Sequence, residues 1–311
     1  MYFPYLYGRR AERNALIDVV PTIGQNQVVH PIVEPYSAAG DLTKLLDAYQ
    51  AASAKLHLVV NPTRGSLQSP SEQAAWKVAV ADYVVQPALV TPVMHILGST
   101  TSAELTKFLV EFSGREVALV ILQGGLSPLA IATTLGTRAV RVFVGPQVAA
   151  PDYVAAMPSQ HVVPLVPRFP INVNAAYPSE SAFSLDPKSY GPAGFGDFAL
   201  IDPRPPRAGA GGAGAGAVAV HMTYQDLSTK ELKVQHFLSD DQTQGSPPDA
   251  IKLLQSIGHM TAQQAATPGR FLVSTGYATL ESYFLTGRRT SLEKSKQQQI
   301  SHHLHTVAHC L

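Results

Sequence analysis

The chain has 311 residues, of which 45% are apolar and 14% charged, with a formal net charge of +1. This composition excludes a disordered chain, and a charge this close to zero supplies no global field to draw nucleic acid or an anionic membrane. The one cysteine, Cys310, cannot form an internal disulfide, which fits a reducing compartment.

At the N-terminus, Tyr2-Phe3-Pro4-Tyr5-Leu6-Tyr7 precedes the basic pair Arg9-Arg10. That order lacks the apolar core of a secretory signal. No window approaches the roughly 18 uninterrupted apolar residues of a membrane span. A soluble, cytoplasmic chain is expected.

The periodicity predicts a short helix over 9–20, stopped at Pro21, of the kind that closes the bottom of a barrel. Residues 28–34 read as a first strand ending in Glu34, and 41–54 as a helix with Leu42, Leu45, Leu46 and Tyr49 at helical spacing. A second strand, 56–61, leads into the exit loop Asn61-Pro62-Thr63-Arg64-Gly65, and a helix comes next over 71–85. The third strand, 90–96, precedes a helix opened by Thr101 and Glu104 as a capping box. The fourth, 117–123, turns at Gly124-Gly125 into a helix begun by Ser127-Pro128. A fifth strand (139–144), a short helix (152–157) and a sixth strand (161–166) complete six βα units.

Beyond them lies a long connection, 167–197, rich in Pro, Ser and Asn. Strand seven is expected at 198–201, a glycine–alanine tract read as a mobile loop lies within 203–216, and strand eight is expected at 217–224. An extra strand at 232–238 pairs with it as a hairpin, and three helices lie near 249–265, 277–285 and 293–309. Alternating strand and helix with near-continuous apolar strands argues for a parallel sheet covered by helices. The first turn, Glu34-Pro35-Tyr36-Ser37, is nothing like the glycine-rich turn of an open dinucleotide-binding sheet. The expected fold is therefore α/β, an irregular (β/α)8 TIM-type barrel with a C-terminal helical extension, in one domain: a cap at 1–27, strands over 28–224, and a hairpin strand and helices over 225–311.

In such a barrel the strand tips converge on one mouth. The tips here are Glu34, Asn61, His95, Gln123, Gly145, Asp202 and His221. Glu34 is the candidate base, with His95 or His221 as the acid. Arg64 and Arg168, after strands two and six, are candidates for holding a phosphate or carboxylate. The backbone amides of Gly124-Gly125-Leu126-Ser127 offer a second anion cradle. His95, His221, Glu34 and an aspartate are metal-ligand types, but no local pair such as HExxH occurs, so no metal is assigned and no cofactor is named. Ser127 and Ser239 are the hydroxyls weighed as nucleophiles, and no G-x-S-x-G elbow accompanies either. In the last helix Ile300, Leu304, Val307 and Leu311 share one face. That pattern predicts His302, His305 and His309 in solvent, with His303 beside the apolar face.

Several ordered stretches carry a resemblance. They are Tyr2-Phe3-Pro4-Tyr5-Leu6-Tyr7-Gly8-Arg9-Arg10, Pro31-Ile32-Val33-Glu34-Pro35, Phe195-Gly196-Asp197-Phe198, Ala217-Val218-Ala219-Val220-His221-Met222-Thr223-Tyr224, Val234-Gln235-His236-Phe237-Leu238 and Ser301-His302-His303-Leu304. Together they resemble the bacterial and phage beta-protein family. The resemblance implies no established reaction; it implies an association with defence or mobile-element loci and with a small companion protein. It also favours Asp197 as a site residue, where strand geometry favours Asp202. Ser181-Ala182-Phe183-Ser184 stands where the resemblance calls for an acidic turn. Two functions emerge as expectations: a mouth lined by Glu34, Asn61, Arg64, His95, Gln123 and His221 that binds an anionic or nucleotide-like small molecule, with hydrolysis or lyase chemistry, or a non-catalytic subunit that docks a companion. No basic stripe points to nucleic acid.

Overall fold

The computed structural model describes residues 1–24, 26–157, 162–204 and 214–311. Among these residues eight parallel strands close a barrel: β1 (Tyr2–Leu6), β2 (Ile32–Val33), β3 (Leu56–Val59), β4 (Val90–His95), β5 (Ala118–Ile121), β6 (Arg141–Val144), β7 (Val162–Val166) and, after an intervening strand β8 (Glu180–Ser184) outside the barrel, β9 (Phe195–Asp197). Closure is made by β9 pairing with β1, with Tyr2 opposite Phe195 and Phe3 opposite Gly196. The first strand-to-strand crossovers carry α1 (Arg10–Ile23), α2 (Ala39–Ala51), α3 (Pro70–Val84), α4 (Ser102–Glu111), α5 (Pro128–Leu135) and α6 (Ala150–Ala156). The expected (β/α)8 barrel is present.

Local sequence explains the helix starts. Thr101 Oγ1 accepts from the Glu104 amide at 3.2 Å while Glu104 Oε2 accepts from the Thr101 amide at 2.7 Å, the reciprocal cap that opens α4. Ser127 caps α5 through the Ala130 amide, with Pro128 in the first turn.

The alternation of the strands sorts their side chains. Phe3, His57 and Phe143, from β1, β3 and β6, meet ring to ring inside the barrel at 5.2–5.7 Å between centroids. Positions two residues on, Tyr5 in β1 and Val59 in β3, share that inner face. The opposite face, with Met94, Leu119, Ile121, Val142 and Val144, packs against Leu105, Phe108 and Ile131 of the surrounding helices. Gly196 occupies an inward position where a Cβ would stand 2.5 Å from Leu165 Cδ2, so β9 has no room there for a side chain.

Three strand assignments need correction. The opening stretch is strand β1 rather than a preamble. Its Pro4, which lacks an amide donor, is the residue type that argues against a strand. The last barrel strand is Phe195–Asp197, just before the expected 198–201. The segment expected as strand eight is β10 (Ala219–Gln225), which belongs to a separate antiparallel sheet of order β10-β11-β8 with β11 (Leu232–Leu238). The hairpin of β10 with β11 is as expected. His161 and residues 205–213 of the glycine–alanine tract lie outside the described residues. Of the rest of the tract, Ala215 is held: its amide donates to Asp249 Oδ1, and the buried Lys252 ammonium donates to the carbonyls of Ala215, Gly216 and Thr243.

The contacts divide into two compact units, residues 1–9, 20–167 and 190–198 in one and residues 10–19, 168–189 and 199–311 in the other. The second unit builds its core from one face of β10. Val218, Val220, Met222 and Tyr224 pack on Leu253, Ile257 and Met260 of α7 (Asp249–Ala266) and on Tyr277 and Leu280 of α8 (Thr275–Leu285). The last helix, α9 (Leu292–Cys310), packs on β10 and α8 and carries polar groups that are nonetheless buried. His302 is fully buried there, His305 half-buried and His309 exposed, so the solvent face predicted for the three histidines holds for His309 alone. A helix enclosed on several sides has no solvent face, and its polar residues must then be bonded. His302 donates from Nε2 to the Thr223 carbonyl at 2.7 Å and accepts at Nδ1 from Ser274 Oγ at 2.9 Å. Among the described residues no helix is long and apolar enough to cross a membrane.

Candidate functional site at the barrel mouth

Glu34 sits one residue past β2 and is fully buried. Its carboxylate is gripped from three directions. Tyr5, from β1, donates its hydroxyl to Oε2 at 2.5 Å. His95, the last residue of β4, places Nδ1 3.3 Å from Oε1. Arg64, in the loop after β3, brings Nε to 3.4 Å from the same oxygen. All four groups stand at or near the C-terminal ends of their strands, the end at which barrels of this kind present their chemistry.

Two devices hold this arrangement. Asn61, just past β3, accepts the His95 backbone amide at Oδ1 (2.8 Å) and donates Nδ2 to the His95 carbonyl (2.9 Å). Gly65, in left-handed conformation at φ +55°, lies against the chain after β2, and a Cβ there would fall 2.0 Å from the Tyr36 carbonyl oxygen. Only glycine lets the Arg64 loop lie that close.

Burial pushes the Glu34 carboxyl up, but the hydrogen bond and charge of His95, the Tyr5 hydroxyl and the Arg64 guanidinium outweigh it. The group is held below the usual carboxylate range. Burial, reinforced by the Glu34 charge, pushes the Tyr5 phenol far up, so that hydroxyl stays a donor. With Glu34 ionised, the His95 Nδ1 that faces it carries a hydrogen. Nε2 has no hydrogen-bond partner among the described residues. Arg64 keeps 21% of its side chain exposed.

Of the other expected site residues, Gln123 and Asp197 are in the barrel unit. Gln123 is exposed in the turn after β5. Asp197 is in register with Pro4, on the outward face of β9, and accepts the Tyr2 hydroxyl at 2.6 Å; it does not face the lumen. Arg168, Asp202 and His221 belong to the second unit. There Arg168 donates to the Phe183 carbonyl at 3.4 Å, and Asp202 pairs with Arg204 at 2.6 Å. His221 is on the antiparallel sheet rather than on a barrel strand. Its Nδ1 lies 2.8 Å from Nδ1 of His236, whose Nε2 lies 2.9 Å from Ser181 Oγ. Burial lowers His236 to about 4 and holds His221 well below the ordinary imidazole range, so both imidazoles are neutral near pH 7 and one can accept from the other.

No family model, no curated protein and no solved structure matches this chain. Its chemistry therefore rests on its own geometry.

Ser127 and Ser239 serve structure: the first caps α5, and the second bonds the Val218 amide and the Asp241 carbonyl. Among the described residues no three His, Cys, Asp or Glu side chains converge as metal ligands. Tyr5 escapes sequence reasoning because Pro4 disguises the opening stretch as something other than a strand. Its alternation, Phe3-Tyr5-Tyr7 on one side, is the available signal.

Proposed function

We propose that the barrel mouth binds a small anionic, nucleotide-like molecule and moves a proton on it, in a hydrolytic or lyase reaction. The observation that carries this reading is the single buried carboxylate that orients both a histidine and an arginine at the strand ends. Glu34 accepts from Tyr5, faces Nδ1 of His95 and pairs with Arg64, and it is ionised, which makes it a positioning residue rather than the base. His95 is the proton carrier in this reading: Nε2 takes the proton, and the imidazolium so formed lies against the Glu34 carboxylate. Arg64 supplies positive charge beside it for the anionic group of the substrate.

The ordered motifs that resemble the beta-protein family support the same region, since two of them supply Tyr5 and Glu34 and a third supplies the closing strand β9. The test is a thermal-shift panel with inorganic phosphate, pyrophosphate and AMP as probes. A ligand present at about 100 times its Kd adds roughly 2.7 kcal/mol to stability. At least one probe should raise the melting midpoint by several degrees in the native chain and by none in Arg64→Ala. A panel without any shift, or a shift that survives Arg64→Ala, sinks the reading.

A further inference from the structure

In the antiparallel sheet of the second unit, pairing sets His221 of β10 directly opposite His236 of β11. Ser181 of β8, opposite Val234, stands on the same face as His236. The three side chains form a line. Ser181 Oγ lies 2.9 Å from His236 Nε2, and the other nitrogen of that ring, Nδ1, lies 2.8 Å from His221 Nδ1. Tyr177 stacks on His236 at 4.8 Å between centroids, and Phe169 meets His221 edge-on at 4.9 Å. Both imidazoles are buried, whereas Ser181 is half-buried on the edge strand of the sheet, beside the exposed Ala182.

Two apolar residues would fill the histidine positions with no polar group to satisfy. A hydroxyl within hydrogen-bond reach of a base, the base in turn oriented by a third group, is the arrangement that activates a serine. The surroundings suit that chemistry. The Glu180 carboxylate, held by Tyr224 and Arg270, favours a positive His236, while Lys296 opposes a positive His221, so a proton taken up by the pair stays on His236. The His236 amide donates to the Ser179 carbonyl. By the alternation of an antiparallel ladder, the Ala182 amide then points away from β11, to the edge that carries no strand among the described residues.

We propose that Ser181, His236 and His221 form an acyl-transfer site, independent of the mouth, that hydrolyses small uncharged esters. Ser181 Oγ attacks the ester carbonyl carbon as its proton passes to His236 Nε2, and the carbonyl π pair moves onto oxygen, beside the Ala182 amide. Collapse of this intermediate breaks the bond to the alkoxy oxygen, which takes the proton from His236 and leaves as the alcohol. Water then attacks the acyl carbon and gives a proton to His236. The second collapse breaks the bond to Ser181 Oγ, which recovers that proton, and the carboxylic acid departs. His221 is a positioning residue: its Nδ1 lone pair accepts the His236 Nδ1 hydrogen. Glu180, next to Ser181, disfavours an anionic ester.

The probes are p-nitrophenyl acetate and a biotinylated fluorophosphonate, applied to the full chain. Nitrophenolate release should show a stoichiometric burst. The fluorophosphonate should lose fluoride and leave a single adduct, located by mass spectrometry on the peptide that carries Ser181. Ser181→Ala, at a half-buried edge position, should abolish both signals with an unchanged urea midpoint. His236→Gln should slow labelling about a hundredfold or more. His221→Gln keeps an acceptor for His236 and should hydrolyse the ester with a higher kcat than His221→Phe at similar KM. The absence of an adduct on Ser181, a burst that survives Ser181→Ala, or native labelling rates in His236→Gln would overturn the assignment. Equal kcat in the two His221 variants would overturn the positioning role of His221.

Discussion

Asn61 holds His95 by the backbone rather than by the ring, accepting its amide at 2.8 Å and donating to its carbonyl at 2.9 Å. A side chain on β3's exit loop therefore takes the place of a β3 partner for the last residue of β4, whose other edge pairs with Val120 of β5. The imidazole remains available for Glu34.

Replacing Asn61 should accordingly act on the mouth through position. Asn61→Ala leaves a backbone amide and a carbonyl of a buried residue without partners and should cost about 1–3 kcal/mol. Asn61→Asp keeps the acceptor and loses the donor, so its cost should be smaller. Urea denaturation of the three proteins measures the order; equal midpoints would show that the clamp contributes nothing.

Glu34 carries a sharper expectation. Glu34→Ala strands the Tyr5 hydroxyl and the His95 ring in a closed site and should cost about 3–5 kcal/mol, whereas Glu34→Gln, which keeps an acceptor, should cost less. The folded-state pKa of Glu34 is below its unfolded value. Its contribution is therefore present above the unfolded pKa and is lost as pH falls through the folded one. The stability gap between the native chain and Glu34→Gln should narrow as pH drops below about 4.5. A gap that stays constant down to pH 3 would contradict an ionised Glu34.

The buried histidines of the second unit act over a different window. Burial lowers His236 and His302 to about 4 and His303 to about 3, where an unfolded histidine titrates near 6.5. Between those values the unfolded chain binds more protons, so stability should fall as pH drops from about 6.5 to about 4. His303→Gln, which can still bond Thr223 Oγ1, should flatten the urea midpoint against pH in this range. An unchanged slope would mean that His303 does not stay neutral in the fold.

Gly65→Ala should be disproportionate for one methyl group. The added Cβ meets the Tyr36 carbonyl at 2.0 Å in a left-handed backbone, so the Arg64 loop must move. A loss of about 1–3 kcal/mol is expected for the conformation alone. Anion-induced thermal shifts should be lost with it. Retention of both stability and anion response would separate Gly65 from the placement of Arg64.

The six central βα units were legible because their strands are continuous apolar runs and their helices carry caps such as Thr101 with Glu104. The ends of the barrel were not. Pro4 speaks against a strand, and β9 is only three residues long, too short for periodicity to register. The apolar run at β10 then filled the vacancy, although its true partners are antiparallel. At the mouth, Glu34, Asn61, Arg64 and His95 were readable as strand-tip residues, and these are the ones found together. Tyr5 was hidden with its strand. The choice between Asp197 and Asp202 stayed open in the sequence, because one residue of register decides which side of a wall a carboxylate faces. His302 defeated the helical wheel because α9 is enclosed on more than one side.

The closing pair of the barrel has a consequence for how the chain assembles. Tyr2 and Asp197 are bonded across 195 positions of sequence, and β1 shares its backbone bonds with both β2 and β9. A ribosome making the chain at about 5–20 residues per second delivers β1 first and its second neighbour roughly ten to forty seconds later. Throughout that interval the strand has one open edge and a row of aromatic side chains awaiting a lumen. The oldest strand of the barrel is thus the one that waits longest for its second partner, and the nascent chain is most exposed to strand-mediated aggregation just before residues 195–197 emerge.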